Sequence, residues 1–216
     1  MTGRRTGGDA TSAPWTRRTV LASGAAAAFG MIPGRSLDAK EPPPIERPIM
    51  GDVAAPKRLV VWGSCTCAFT AQLYVILKQI VQDMPRVASV EWRHFPLHQP
   101  DPALHVGSLG FKGDHFWGFV FRVLGVVLEK GGDYAGLTPE KLGEFAQAEG
   151  GSAATLKEAQ ADPAKWAMVK QDLLAGHFLG ITATPGLFYN GFFLTPGGIP
   201  LDKKAFDASL RGMLKS

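Results

Sequence analysis

Apolar and polar positions along the chain follow two periods. Residues 57–63, KRLVVWG, form a short continuous apolar run between Pro56 and Gly63, which predicts a strand buried on both faces of a sheet. From Cys67 to about Met84 the apolar residues Phe69, Leu73, Ile76, Leu77, Ile80 and Val81 recur every three or four positions, which predicts an amphipathic helix ending near Pro85. Residues 88–95, ASVEWRHF, alternate enough to be the next strand, and strand–helix–strand in this order predicts a parallel pair.

Three helices are predicted next. Residues 114–130 are strongly apolar. Residues 138–150 open with Thr138 as N-cap and Pro139 at the first helical position, and residues 162–180 open with Asp162 and Pro163 in the same roles. PGLFYNGFFLTPG then reads as two strands around an Asn190-Gly191 turn, and DKKAFDASLRGML as a closing helix. The order β, α, β, helical insertion (about 100–180), β-hairpin, α predicts an α/β domain with a mixed sheet. A chain of 216 residues suits one such core, and no repeat is visible.

Residues 1–39 depart from this pattern. TRRTVLASGAAAAFGMI places the pair Arg17-Arg18 before a weakly apolar Ala/Gly run, as in a twin-arginine-type signal peptide. The run from Val20 to Ile32 is well short of the ~20 residues of a spanning helix, so no permanent membrane anchor is expected. Residues 40–48, with EPPP, read as a stiff linker before a domain at 49–214. The leader also explains the charge: the chain carries 23 Lys+Arg against 19 Asp+Glu, but five arginines and two aspartates lie in residues 1–39. The nearly neutral remainder gives no footprint for nucleic acid or an anionic surface. The expected localisation is periplasmic or otherwise exported.

Both cysteines lie in GSCTCAFT, between the first strand and the first helix. A thiol at a helix N-terminus meets unpaired amides and the positive end of the helix dipole, which favour its reactive thiolate, so Cys67 is the candidate nucleophile. Thr70 lies three residues on, where its hydroxyl is expected to donate to that sulfur. A threonine cannot expel a substrate from a mixed disulfide, so a second thiol is needed. Cys65 is the candidate for it: alternate Cα atoms lie up to about 7 Å apart when extended, against roughly 4.4–6.8 Å across a disulfide, so a Cys65–Cys67 bond needs a bent backbone. A buried, hydrophobe-like Cys65 is the competing reading. Cys-x-Cys also suits Cu(I), whereas zinc wants four ligands; His94, His98, His105, His115 and His177 are scattered, and no metal site or cofactor is expected.

GSCTCAFTAQLY, the lead-in MGDVAAPKRLVVW and the passage GITATPGLFYNG together resemble the DsbA-type thioredoxin-fold proteins, over roughly residues 48–214. The resemblance implies a thioredoxin fold with a mixed central sheet and an inserted helical subdomain. It places Cys67 at the nucleophilic cysteine of Cys-x-x-Cys, Thr70 at the second cysteine, and Thr184-Pro185 in the loop whose proline is cis and faces the active sulfur. Val61 stands where many members carry a buried glutamate, so both parts of the resolving machinery are replaced. The implied function is thiol–disulfide exchange by an oxidoreductase or isomerase-like enzyme acting through Cys67 on protein or small-molecule thiols and disulfides, and relying on an unidentified redox partner. Cys65 is its unconventional resolving thiol, and Thr184, Pro185 and Phe69 hold the substrate. The alternative is a redox-degenerate binding module, chaperone-like or carrying Cu(I) on Cys65 and Cys67.

Overall fold

Five strands form one mixed sheet in the order β1-β3-β2-β4-β5, with β1 Ile49–Met50, β2 Lys57–Gly63, β3 Ala88–His94, β4 Gly186–Tyr189 and β5 Phe192–Phe193. The computed structural model describes residues 46–195, 198–200 and 202–216. The predicted leader (1–39) and residues 40–45 of the predicted linker lie outside them. The described residues fall in the unit Pro42–Ser216.

β2 pairs with β3 in parallel, Leu59 beside Val90 and Gly63 beside His94, while all other pairings are antiparallel. The period of two along β2 divides its side chains between two cores. Leu59 and Val61 join the larger core with Leu73, Leu77 and Ile80 of α1 (Ala68–Asp83) and Phe116, Val120 and Val123 of a later helix, whereas Trp62 packs with Phe95, Ile181 and Phe188 on the other face. Asn190 and Gly191 both have positive φ, 49° and 80°, as a two-residue turn between β4 and β5 requires.

The insertion is longer in elements than predicted. Five helices follow β3: α2 Asp101–Ser108, α3 Gly113–Glu129, α4 Pro139–Ala148, α5 Ala153–Ala161 and α6 Pro163–Phe178; α7, Lys203–Lys215, closes the chain. Three had been expected. α2 escapes the pattern because it is short and follows Pro100, and its helical face is closed by the polar Asp101 and His105. α5, AATLKEAQA, buries only Leu156 and Ala159; it is started by a capping box between Ser152 and Thr155 more than by an apolar stripe.

Candidate active site

Cys67 is the N-cap of α1, half-buried, and its sulfur donates to the Thr184 carbonyl oxygen at 3.5 Å. The turn that delivers it runs from Ser64 to Cys67, closed by the Cys67 N–H on the Ser64 carbonyl at 3.4 Å. On the opposing side the Thr184–Pro185 peptide bond is cis. Thr195 pins this segment: its hydroxyl accepts the Leu187 N–H at 2.9 Å and donates to the Pro185 carbonyl at 2.8 Å. The Thr184 hydroxyl is buried without a partner among the described residues, and Phe69, in the first turn of α1, is 56 % exposed. Cys67, Thr184 and Pro185 are therefore brought together, with Phe69 exposed two residues after Cys67.

Thr70 does not take its expected role. It is fully buried, its hydroxyl accepts the Ser64 N–H at 3.4 Å, and no hydrogen bond joins it to the Cys67 sulfur among the described residues. Gly63 explains the placement: a Cβ there would stand 2.9 Å from the Thr70 methyl and from the Trp92 ring, so both have packed onto the bare strand end. Trp62, Phe116 and Trp117 are likewise buried in the core.

The two cysteines have separate surroundings. Both are free, and Cys65 points inward, 2 % exposed. Burial, and then the charge of Asp101, push its thiol well above the usual range, so at neutral pH it is protonated and a poor nucleophile. Burial thus works against Cys65 as a resolving thiol. Beneath it lies a polar cluster absent from the sequence reading. Asp101 accepts the Cys65 N–H (2.9 Å), the Ser64 hydroxyl (2.7 Å) and the Leu97 N–H (2.9 Å), and stands 3.3 Å from His105 Nε2. Burial raises its carboxyl, but the charge and hydrogen bond of His105, with the Ser64 and Leu97 donors, more than offset this, and it is held below its usual range. His105 Nδ1 lies 2.8 Å from His94 Nδ1, which also accepts the Trp92 indole N–H at 3.0 Å. The one legible signal was Asp101-x-x-x-His105, a spacing that puts both groups on one helical face.

His94 is fully buried, and desolvation, then the charges of His105, Arg47 and Arg93, push its pKa well below the usual value. A depressed histidine leaves the unfolded chain binding the extra proton first. Stability present above about pH 6.5 is therefore lost as pH falls, by up to ~1.4 kcal/mol per unit. Urea unfolding between pH 7.5 and 5 should show this slope, reduced in His94→Gln; equal slopes in both proteins would refute the assignment.

No model of a known protein family matches the chain, and no curated protein does. Solved structures do match in fold. A periplasmic thioredoxin-like protein from Salmonella enterica serovar Typhimurium superposes with a TM-score of 0.61 at 19% identity, covering 79% of this chain and 91% of that one. BdbD from Bacillus subtilis gives 0.61 at 19% over 79% and 94%. The catalytic domain of Proteus mirabilis ScsC gives 0.60 at 16% over 79% and 90%. The chain thus has a thioredoxin-like fold, with a helical subdomain inserted between β3 and β4. Among the described residues no helix is long and apolar enough to cross a membrane.

Proposed function

We propose that the chain is an exported thiol–disulfide exchange protein that works through Cys67 alone. The observation that carries this is the half-buried Cys67 sulfur at the start of α1, 3.5 Å from the Thr184 carbonyl beside Pro185. The Cys67 thiolate attacks a disulfide R–S–S–R′; the Cys67–S–S–R bond forms, and R′–S⁻ leaves and takes up a proton. A second thiolate, R″–S⁻, attacks the R sulfur, giving R–S–S–R″ and returning Cys67 as thiolate. No electrons are gained or lost by the protein, which suits reshuffling of disulfides or transfer to a thiol partner. Thr184 and its neighbours offer backbone groups to an extended peptide held against Cys67, and the exposed Phe69 offers an apolar contact. The neighbour described as a periplasmic thioredoxin-like protein supports the same reading, as does the leader expected at residues 1–39.

The test is capture. Protein incubated with glutathione disulfide, alkylated at once and digested, should carry glutathione on Cys67 and none on Cys65; an adduct on Cys65 or on neither residue would overturn the proposal. Release should need added thiol, and Cys65→Ser should release at the unmodified rate, whereas slower release would restore Cys65 as the resolving thiol.

Thr70→Cys supplies the converse. A thiol three residues on, in the first turn of α1, is expected to pair with Cys67. The oxidised variant should lose two hydrogens by intact mass and oxidise dithiols without an added thiol. Two free thiols after oxidation would show that position 70 does not share a face with the reactive sulfur.

A further inference from the structure

We propose that Cys65, Asp101 and His105 form a buried zinc site beneath the turn that carries Cys67. Each offers one donor atom, a thiol sulfur, a carboxylate oxygen and an imidazole nitrogen, and the three lie within 4.8 Å of one another in a fully buried setting. This inference goes beyond the exchange chemistry and stands or falls separately from it.

The hydrogen bonds fix His105 Nδ1 as a donor. The Trp92 indole can only donate, so His94 Nδ1, which receives it, carries a lone pair. His105 Nδ1, 2.8 Å from the same nitrogen, is then the donor of that pair. A neutral His105 therefore presents the lone pair of Nε2, which faces Asp101 Oδ1 at 3.3 Å. Two electron-rich atoms at that separation inside a protein call for a cation between or beside them, and the Cys65 N–H, shared at 2.9 and 3.4 Å, supplies only a partial charge. A proton on Nε2 would serve. So would a metal ion, and the adjacent thiol distinguishes the two, because it gives the metal a third ligand and the proton nothing.

The surroundings are those of ligand residues held from behind. His105 gives its other ring N–H to His94, which Trp92 orients, and the far oxygen of Asp101 is occupied by Ser64 and Leu97. Such outer contacts orient metal-binding imidazoles and carboxylates. The Tyr74 hydroxyl, fully buried without a partner among the described residues, has its ionisation opposed by burial and then by charge on Cys65, which marks it as a neighbour of the same thiol. One sulfur, one nitrogen and one oxygen donor, with a water as the fourth ligand, match borderline zinc better than Cu(I), which favours an all-soft set, or magnesium, which favours oxygen. The ion would tie the Ser64–Cys67 turn to α2, and so fix the base from which Cys67 projects.

The experiment uses the full chain, stripped with a chelator and titrated with Co²⁺ as a coloured stand-in for zinc. One equivalent should bind with a thiolate-to-cobalt charge-transfer band, and Zn²⁺ should displace it. Cys67→Ser should keep band and stoichiometry; Cys65→Ser should lose the band. His94→Gln, which removes the outer contact of His105 and no ligand, should weaken binding about ten- to hundredfold, and this arm stands even if Cys65→Ser fails to fold. Absence of a band in the unmodified protein, or a band that follows Cys67, would overturn the proposal; the first would mean that a proton alone closes the Asp101–His105 gap.

Discussion

Cys67→Ser is expected to bring turnover of a model disulfide down to the uncatalysed rate while leaving the fold intact. The reactive step needs a sulfur that can attack a disulfide and later leave it, and a serine hydroxyl does neither. The structural cost is small, because the side chain is half-buried and its one hydrogen bond, to the Thr184 carbonyl, can be made by a hydroxyl as well. Thermal unfolding of the variant should therefore match that of the parent within a degree or two, and the loss appears in rate alone. Cys65→Ser is the informative control: its thiol is buried and held protonated, so turnover should persist. If Cys67→Ser kept its turnover, exchange through Cys67 would be abandoned. If it lost turnover but still retained an unfolded client, the surface beside Pro185 would bind independently of the sulfur.

The separation of the two cysteines could not be read from their spacing. Cys-Thr-Cys looks like a pair in sequence, and local geometry allows a pair. What divides them is the turn, which sends Cys65 toward Asp101 and His105, 36 and 40 residues away, and leaves Cys67 at the start of α1. Local signals were strong where one element determines itself: the apolar run of β2, the three-to-four spacing of α1 and the Asn190-Gly191 turn each gave the observed element. They failed where identity depends on a partner. Thr70 has the right helical offset to meet the Cys67 sulfur, yet the missing side chain of Gly63 offers its methyl a better place, and the hydroxyl turns to Ser64. α2 carries the carboxylate and imidazole of the cluster, and those polar residues are what hid its helical pattern.

Asp172→Ala is expected to cost the most stability of any single change considered, about 3–5 kcal/mol, the range for breaking a buried ion pair from one side. The Asp172 side chain is fully buried in α6. Its Oδ1 accepts from Arg47 at 3.0 and 3.2 Å and from Arg93 at 3.1 Å, and its Oδ2 accepts the His94 N–H at 3.2 Å. Removing the carboxylate leaves Arg47 without its counter-charge, Arg93 with Glu91 alone, and a buried amide without its side-chain acceptor. Both arginine side chains keep about a quarter of their surface in water, 27% and 23%, which places the cost at the lower end of the range. At roughly 2–4 °C per kcal/mol for a domain of this size, the melting temperature should fall by about 6–12 °C. Asp172→Asn retains an acceptor for the His94 N–H and should lose less. A loss under about 1 kcal/mol in Asp172→Ala would mean that water screens the arginines more fully than their burial allows. The same carboxylate anchors the end of β3, where His94 begins the chain of contacts through His105 to Asp101 and the Cys65 amide. Removing it also leaves the charges of Arg47 and Arg93, which hold the His94 pKa down, without their shared counter-charge, so the acid slope of stability assigned to His94 should persist in Asp172→Ala.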